Sequence, residues 1–152
     1  MKITAAVLDA IGAVGPFAET KPMRVAALDL APPRDGELLV KIDACGLCHS
    51  DLSVVNGDRP RPMPMAIGHE AAATVLQSSP GSSFAPGDRV VLAFLPSCGK
   101  CPTCASGQGY LCASAAAANG AGMLMHGGSR LAENGHAVHH HMGVSAFATH
   151  SV

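Results

Sequence analysis

The feature that most constrains this chain is a cluster of cysteines spaced C-x2-C-x2-C-x7-C. Its members are Cys98, Cys101, Cys104 and Cys112. Three of these thiols lie too close together in sequence to pair sensibly with one another as disulfides. Folded around one ion, however, four thiolates can occupy the tetrahedral corners of a zinc site at about 2.3 Å from the metal. The spacing therefore predicts a zinc-binding loop over residues 98–112, with unrelated free thiols or two disulfides as the alternatives.

A zinc ion with four protein thiolates has no open position for water or substrate. Such a site stabilises a loop and does no chemistry. Any reaction carried out by this chain must therefore depend on residues elsewhere.

Length and composition indicate the class of fold. The chain has 152 residues, enough for one domain with a real core. Apolar residues make up 48% of it but aromatic residues only 3%, so the core must be mainly aliphatic. The 17 glycines and 11 prolines favour short strands joined by turns.

Charge and hydropathy argue against some classes of partner and of location. The net charge of −1 gives no electrostatic reason to expect a nucleic acid or a membrane surface as a partner. No stretch approaches the roughly 18 apolar residues of a membrane span. Asp9 interrupts the apolar run at the N-terminus, so we interpret it as a first strand and not as a signal peptide. Cysteines at metal-binding spacing without a signal peptide predict a cytoplasmic protein.

Several short apolar runs alternate with Gly and Pro turns and predict a mainly β barrel or sandwich. The predicted strands cover residues 2–9, 23–30, 37–44, 71–76, 89–94 and 143–152. Between the third and fourth strands, Ser50 or Asp51 is expected to cap a short helix that runs to Val55. Gly120-x-Gly122 lacks the third glycine and the preceding strand of a dinucleotide fingerprint, so we reject it as one.

Other residues with metal-binding chemistry are more ambiguous. The histidines at 136, 139, 140 and 141 could bind a metal, but a solvated or locally hydrogen-bonded loop is the favoured interpretation. Cys45 and Cys48 form C-x2-C without the βαβ context of a redox motif. We interpret Cys45 as a small buried apolar residue. Cys48 and His69 lie near predicted strand ends and are the remaining candidate ligands.

Four motifs together resemble one family. They are G-L-C-H-S-D at 46–51, G-H-E at 68–70, G-D-R-V at 87–90 and the four-cysteine loop. In order and spacing they are similar to the zinc-dependent alcohol dehydrogenases of the medium-chain dehydrogenase/reductase superfamily. The resemblance covers nearly the whole chain. It implies a GroES-like, partly open β-barrel with a few short helices and a zinc-binding lobe, spanning residues 1–152 as the catalytic domain.

The resemblance also implies a second, catalytic zinc site. Cys48 and His69 match two of its ligands, and Glu70 matches the carboxylate beside that zinc. Asp51 matches the residue that orients the ligand histidine. The third ligand in the family, a cysteine, falls beyond Val152, and all six cysteines of this chain are otherwise accounted for.

The remaining implied roles concern substrate and cofactor. Ser50 matches the hydroxyl that starts the proton relay, and His49 a position that approaches the pyrophosphate of the cofactor. Phe94 matches a wall of the substrate pocket. The family implies a small-molecule alcohol or aldehyde as substrate, NAD or NADP as cofactor, and a homo-oligomer.

Residues 1–152 contain no G-x-G-x-x-G, so the Rossmann cofactor domain of the family is expected to be absent. We therefore expect an alcohol dehydrogenase domain that is inactive by itself. The alternative is a non-enzymatic zinc-binding module with a structural or interaction role.

Overall fold

The computed structural model describes residues 1–152 and is dominated by strands. The strands are β1 (Lys2–Leu8), β2 (Met23–Leu30), β3 (Leu38–Cys45), β4 (Met65–Ala66), β5 (Ala71–Ser78), β6 (Arg89–Leu92), β7 (Leu131–Glu133), β8 (His136–His140) and β9 (His150–Ser151). The helices are α1 (Phe17–Thr20), α2 (His49–Val55), α3 (Pro102–Ala105) and α4 (Ala113–Gly120), with a 3-10 turn at Gly109–Leu111. No helix has the length and apolar character needed to cross a membrane.

Five strands close into a barrel in the order β1-β2-β7-β8-β4. Its core follows from period-two alternation, since every second residue of β1 points inward. The antiparallel register sets Ile3 opposite Leu28 and Ala5 opposite Ala26, so the inward faces of β1 and β2 meet. Leu28 is fully buried, and burying such a side chain stabilises the fold by about 1.5–3 kcal/mol.

A second, open sheet has the order β6-β5-β3-β9. A buried ion pair connects it to the barrel, because Arg130 before β7 donates to both oxygens of Glu37 before β3, at 2.8 and 3.1 Å. The antiparallel pairing of β3 with β5 ends at Cys45 opposite Ala71. The segment that leaves β3 and the segment that enters β5 therefore lie side by side at one end of this sheet.

The expected mainly β, GroES-like barrel with short helices is confirmed: a closed five-stranded barrel lies beside the open sheet. Two strands are shorter than predicted. The predicted final strand over 143–152 is reduced to β9, and the strand predicted over 89–94 ends at Leu92. The expected cap of α2 is also different. Cys48 is its N-cap residue, and Asp51 accepts the Cys48 N–H through Oδ2 at 3.4 Å.

The histidine-rich segment is not a solvated loop. His136–His140 form β8, and the side chains of His140 and His141 are fully buried. The two ring nitrogens of His140 have partners, since Arg130 N–H donates to Nε2 at 3.2 Å and Ser145 Oγ lies 3.2 Å from Nδ1. Burial among paired polar groups is a tertiary effect that a polar sequence run does not reveal.

Candidate metal centres

The four cysteines of the 98–112 loop converge. Their sulfur atoms all lie within 4.8 Å of one another, with Cys98 Sγ 3.9 Å from Cys104 Sγ and Cys101 Sγ 4.0 Å from Cys112 Sγ. A tetrahedron of sulfurs about 2.3 Å from zinc has edges of about 3.8 Å. A disulfide would need about 2.05 Å, and all six cysteines are free thiols. The geometry fits one zinc ion and excludes the disulfide alternative.

Short helices hold this thiol lobe, by which we mean residues 98–112. Cys101 is the N-cap of α3 and Cys112 the N-cap of α4, so both sulfurs sit near free backbone N–H groups. The Thr103 hydroxyl, 3.0 Å from Cys101 Sγ, lowers the pKa of the Cys101 thiol to about 6. Burial raises the pKa of the Cys104 thiol to about 11. Each thiolate opposes the ionisation of its neighbours, so the positive charge of a divalent cation would be needed to keep all four cysteines ionised.

A second cluster forms where β3 ends and β5 begins. The ligand atoms of Cys48, His69 and Glu70 lie within 4.8 Å of one another, and His69 Nε2 is 3.9 Å from Glu70 Oε1. His69 is buried, Cys48 half-buried and Glu70 exposed. One thiol, one imidazole and one carboxylate form a donor set that zinc accepts. This cluster is open toward solvent on the Glu70 side.

Two glycines allow this arrangement. Gly68, directly before His69, has φ +91°, and a Cβ there would lie 2.6 Å from the backbone nitrogen of Phe147. Gly46 donates its N–H to the Glu70 carbonyl at 2.9 Å. A Cβ on Gly46 would collide with Glu70 Oε2. Close approach to backbone therefore requires glycine at position 68, whereas a side chain at position 46 would displace the Glu70 carboxylate from the cluster.

Asp51 lies behind the second cluster and is buried. Its Oδ1 accepts the Gly68 N–H at 3.1 Å and lies 3.2 Å from His69 Nδ1. A carboxylate in contact with Nδ1 favours the His69 tautomer with a proton there. That tautomer leaves the Nε2 lone pair directed at Cys48 and Glu70.

The other predicted site residues surround the same cluster. Ser50 Oγ lies 3.4 Å from Cys48 Sγ. Phe94 meets His69 edge-on, with ring centroids 5.4 Å apart. His49 is exposed at the first turn of α2, where its Nδ1 lies 3.5 Å from Ser53 Oγ.

Sequence reasoning missed His141, which the structure brings to this cluster. Its ring is fully buried, with its centroid 5.3 Å from that of His69, and its Nε2 lies 3.4 Å from Asp51 Oδ1. The only signal was its place in the histidine run, and that run was interpreted as a loop. The interpretation of Cys45 was also wrong: Cys45 is exposed, because β3 ends there at the edge of the core.

Comparisons with known proteins agree with this geometry. The family model described as the alcohol dehydrogenase GroES-like domain matches residues 34–144. An S-(hydroxymethyl)glutathione dehydrogenase of Escherichia coli is 37% identical over 138 residues, which covers 90% of this chain and 37% of that protein.

Solved structures give the same result. An alcohol dehydrogenase zinc-binding domain protein from Burkholderia ambifaria is 35% identical with a TM-score of 0.86, covering 99% of this chain and 39% of that one. A benzyl alcohol dehydrogenase from Acinetobacter calcoaceticus is 32% identical with a TM-score of 0.83, covering 99% and 38%. The chain belongs to the zinc-type alcohol dehydrogenase family, and its fold is that family's GroES-like domain. It spans about 37% of the length of the curated relatives it matches.

Proposed function

We propose that residues 1–152 form the zinc-bearing catalytic domain of an alcohol dehydrogenase that interconverts a small alcohol and its aldehyde with NAD or NADP. One observation carries this proposal: Cys48, His69 and Glu70 converge within 4.8 Å of one another. Ser50 beside Cys48 and Asp51 behind His69 complete a site with both a metal-binding face and a proton-accepting hydroxyl.

The two candidate metal centres would have different roles, one structural and one catalytic. The thiol lobe would hold a structural zinc with four sulfurs and no free position. At the second centre Cys48 Sγ and His69 Nε2 would hold zinc, with Glu70 beside it. Zinc bound there would supply Lewis acidity, which lowers the pKa of an alcohol as it does that of water.

The chain's own residues would handle the proton and the substrate. Ser50 Oγ would accept the proton of the alcohol hydroxyl and pass it outward, since Ser50 is only half-buried. Phe94 would form an apolar wall beside His69. His49, exposed at the start of α2, would meet the pyrophosphate of the cofactor. A bound nicotinamide cofactor would supply the acceptor for the hydride of the alcohol.

We further propose that residues 1–152 do not oxidise alcohols as an isolated polypeptide. Two parts that the family resemblance calls for have no counterpart among these residues. One is a third cysteine ligand, since four cysteines lie in the thiol lobe and Cys45 is exposed. The other is a parallel sheet with a glycine fingerprint to hold the nicotinamide. The non-enzymatic alternative is less favoured, because a purely structural module has no use for Ser50 and Glu70 beside Cys48.

The test is a chimera in which residues 1–152 of this chain replace the matching region of the Acinetobacter calcoaceticus benzyl alcohol dehydrogenase. We expect this chimera to reduce NAD or NADP with alcohol as substrate, measured by absorbance of the reduced cofactor, while residues 1–152 alone give none. In the chimera, Ser50→Ala should lower turnover by about 10²–10⁴-fold without loss of zinc. Ser83→Ala, at an exposed position, is the matched control.

Turnover by residues 1–152 alone would contradict the inactive-domain proposal. A chimera that folds and binds zinc but never reduces cofactor would contradict the dehydrogenase proposal. Self-association into a homo-oligomer remains a prediction, which light scattering of the purified chain can test. Cytoplasmic location likewise remains a prediction, resting on the free thiols.

A further inference from the structure

The environment of His141 is unusual for a residue that merely fills space. Its side chain has no exposed surface, yet neither ring nitrogen has a hydrogen-bond partner. Leaving a buried polar group unpaired costs about 1–3 kcal/mol. A phenylalanine would fill the same volume without this cost, so the polar ring calls for an explanation.

The one anionic group beside the ring is Asp51. His141 Nε2 lies 3.4 Å from Asp51 Oδ1, without the alignment of a hydrogen bond. A neutral imidazole carries a single proton, on one of its two ring nitrogens. A proton on Nε2 would place its partial positive charge beside the carboxylate. A proton on Nδ1 would instead set the Nε2 lone pair against the same oxygen, which is unfavourable in a low-dielectric interior.

Three nitrogen atoms lie around Asp51 Oδ1. They are the Gly68 backbone N, which donates to it at 3.1 Å, His69 Nδ1 at 3.2 Å and His141 Nε2 at 3.4 Å. Polar neighbours of this kind restrict the rotation of a carboxylate. Because Asp51 is the contact of His69 Nδ1, whatever restrains Asp51 also restrains His69.

We propose that His141 is a positioning residue for the second metal centre. It places its Nε2–H beside Asp51 Oδ1, and Asp51 in turn keeps His69 in the Nδ1–H tautomer with Nε2 free to bind a metal. This inference rests on the proposed role of His69 as a metal ligand. It adds the residue that directly follows β8 to a site otherwise built from α2 and the segment before β5.

Packing alone offers a competing explanation, and two substitutions separate the two. The ring of His141 meets the ring of His69 edge-on, with an interplanar angle of 83°. His141→Phe keeps that aromatic contact and removes the N–H. His141→Gln loses the ring but keeps a side-chain N–H at a similar reach. If His141 positions Asp51, the His141→Gln variant should bind metal more tightly than His141→Phe. If His141 only packs against His69, the order should be reversed.

The experiment measures cobalt binding at the second centre of the whole chain. The thiol lobe is first filled with one equivalent of zinc, and Co²⁺ is then titrated while its thiolate charge-transfer and d–d absorption are recorded. We expect His141→Phe to weaken Co²⁺ binding about 10–100-fold, as for other residues that orient metal-binding histidines, and His141→Gln to restore part of it. Affinity unchanged by His141→Phe, or lower in Gln than in Phe, would overturn the proposal.

Cys48→Ser distinguishes this result from failure of the proposed function. If the cobalt spectrum is the same with and without the Cys48 sulfur, the second centre is not a metal site and the proposed function fails. Nitrogen-15 NMR of the imidazoles then tests the positioning role independently of any metal. We expect His141 as the Nε2–H tautomer and His69 as the Nδ1–H tautomer, with His69 shifting toward a tautomer mixture in His141→Phe. An Nδ1–H tautomer of His141 would overturn the proposal.

Discussion

The two candidate metal centres of this domain are built in opposite ways. All ligands of the thiol lobe come from residues 98–112, on short helices and turns that bury little apolar surface. The second centre takes Cys48 from α2 and His69 from the segment before β5, with His141 from beyond β8 behind them. Its atoms are brought together by strand pairing, and its buried residues pack against the barrel.

This difference predicts what each centre depends on. The thiol lobe has a ligand set complete within itself, so its order should come from the metal. The second centre is positioned by the fold before any metal arrives, through Gly46, Gly68 and the contacts of Asp51. Loss of metal should therefore damage the first centre, and loss of packing should damage the second.

The largest expected effect is loss of zinc from the thiol lobe. Cys101→Ser leaves three thiolates, and structural sites of this type bind zinc with about 10–16 kcal/mol in peptides. We expect elemental analysis to find one equivalent less of tightly bound zinc per chain, with local loss of structure over residues 98–112 and the strands retained. Cys48→Ser should keep that zinc. Zinc retained in Cys101→Ser, or global unfolding of the barrel, would contradict the assignment.

The next effect concerns the packing that positions His69. Gly68→Ala places a Cβ 2.6 Å from the Phe147 nitrogen at φ +91°, which combines overpacking with left-handed strain. We expect a loss of about 2–5 kcal/mol in the free energy of unfolding, measured with urea. Gly81→Ala is the matched control, since its φ is +79° but no atom lies within 4 Å of its Cβ. It should cost only about 1–2 kcal/mol. Equal effects would show that crowding around Gly68 is unimportant.

A smaller effect follows from the buried histidine in the barrel. Burial lowers the pKa of His140 to about 4, below its unfolded value of about 6.5. The unfolded chain then binds more protons between these values, so stability is lost as the pH falls from about 6.5 toward 4. For His140 this amounts to about 2 kcal/mol between pH 7 and pH 5.

The measurement is the urea midpoint as a function of pH. We expect the urea midpoint of His140→Gln to fall less steeply than that of wild type as the pH is lowered. His136→Gln, at an exposed position of the same strand, should show the wild-type dependence on pH. An identical slope in the His140 variant would place the acid sensitivity elsewhere.

The smallest effect is expected at Cys45. Although it forms C-x2-C with Cys48, its side chain is exposed and belongs to none of the three groups of converging ligand atoms. Cys45→Ser should leave the zinc content, the cobalt spectrum and the unfolding midpoint within error of wild type. A drop in bound metal would mean that the second centre recruits this thiol, and the contrast between the two centres would need revision.

Much of the fold was accessible from the sequence because its signals are local. Apolar runs bounded by Gly and Pro turns predicted β1 and β2 nearly to the residue, since such turns end a strand locally. The short helix ending at Val55 was expected, but its N-cap is Cys48 and not Ser50 or Asp51, because capping depends on backbone and side-chain geometry. The two-residue β9 was overpredicted, since pairing with β3 limits it more than its own residues do.

The sequence by itself determined the thiol lobe, because a ligand set within fifteen residues leaves the backbone few ways to separate its sulfurs. It also predicted Cys48, His69 and Glu70 as neighbours at a second site, through the resemblance of their motifs to a family. Only the tertiary structure decided that His141 is buried against Asp51 and that Cys45 is exposed. The physical reason is the separation of the contacting residues along the sequence. The spacing of nearby residues is constrained by the covalent chain, whereas contacts across ninety residues depend on strand register and core packing, which no local pattern specifies.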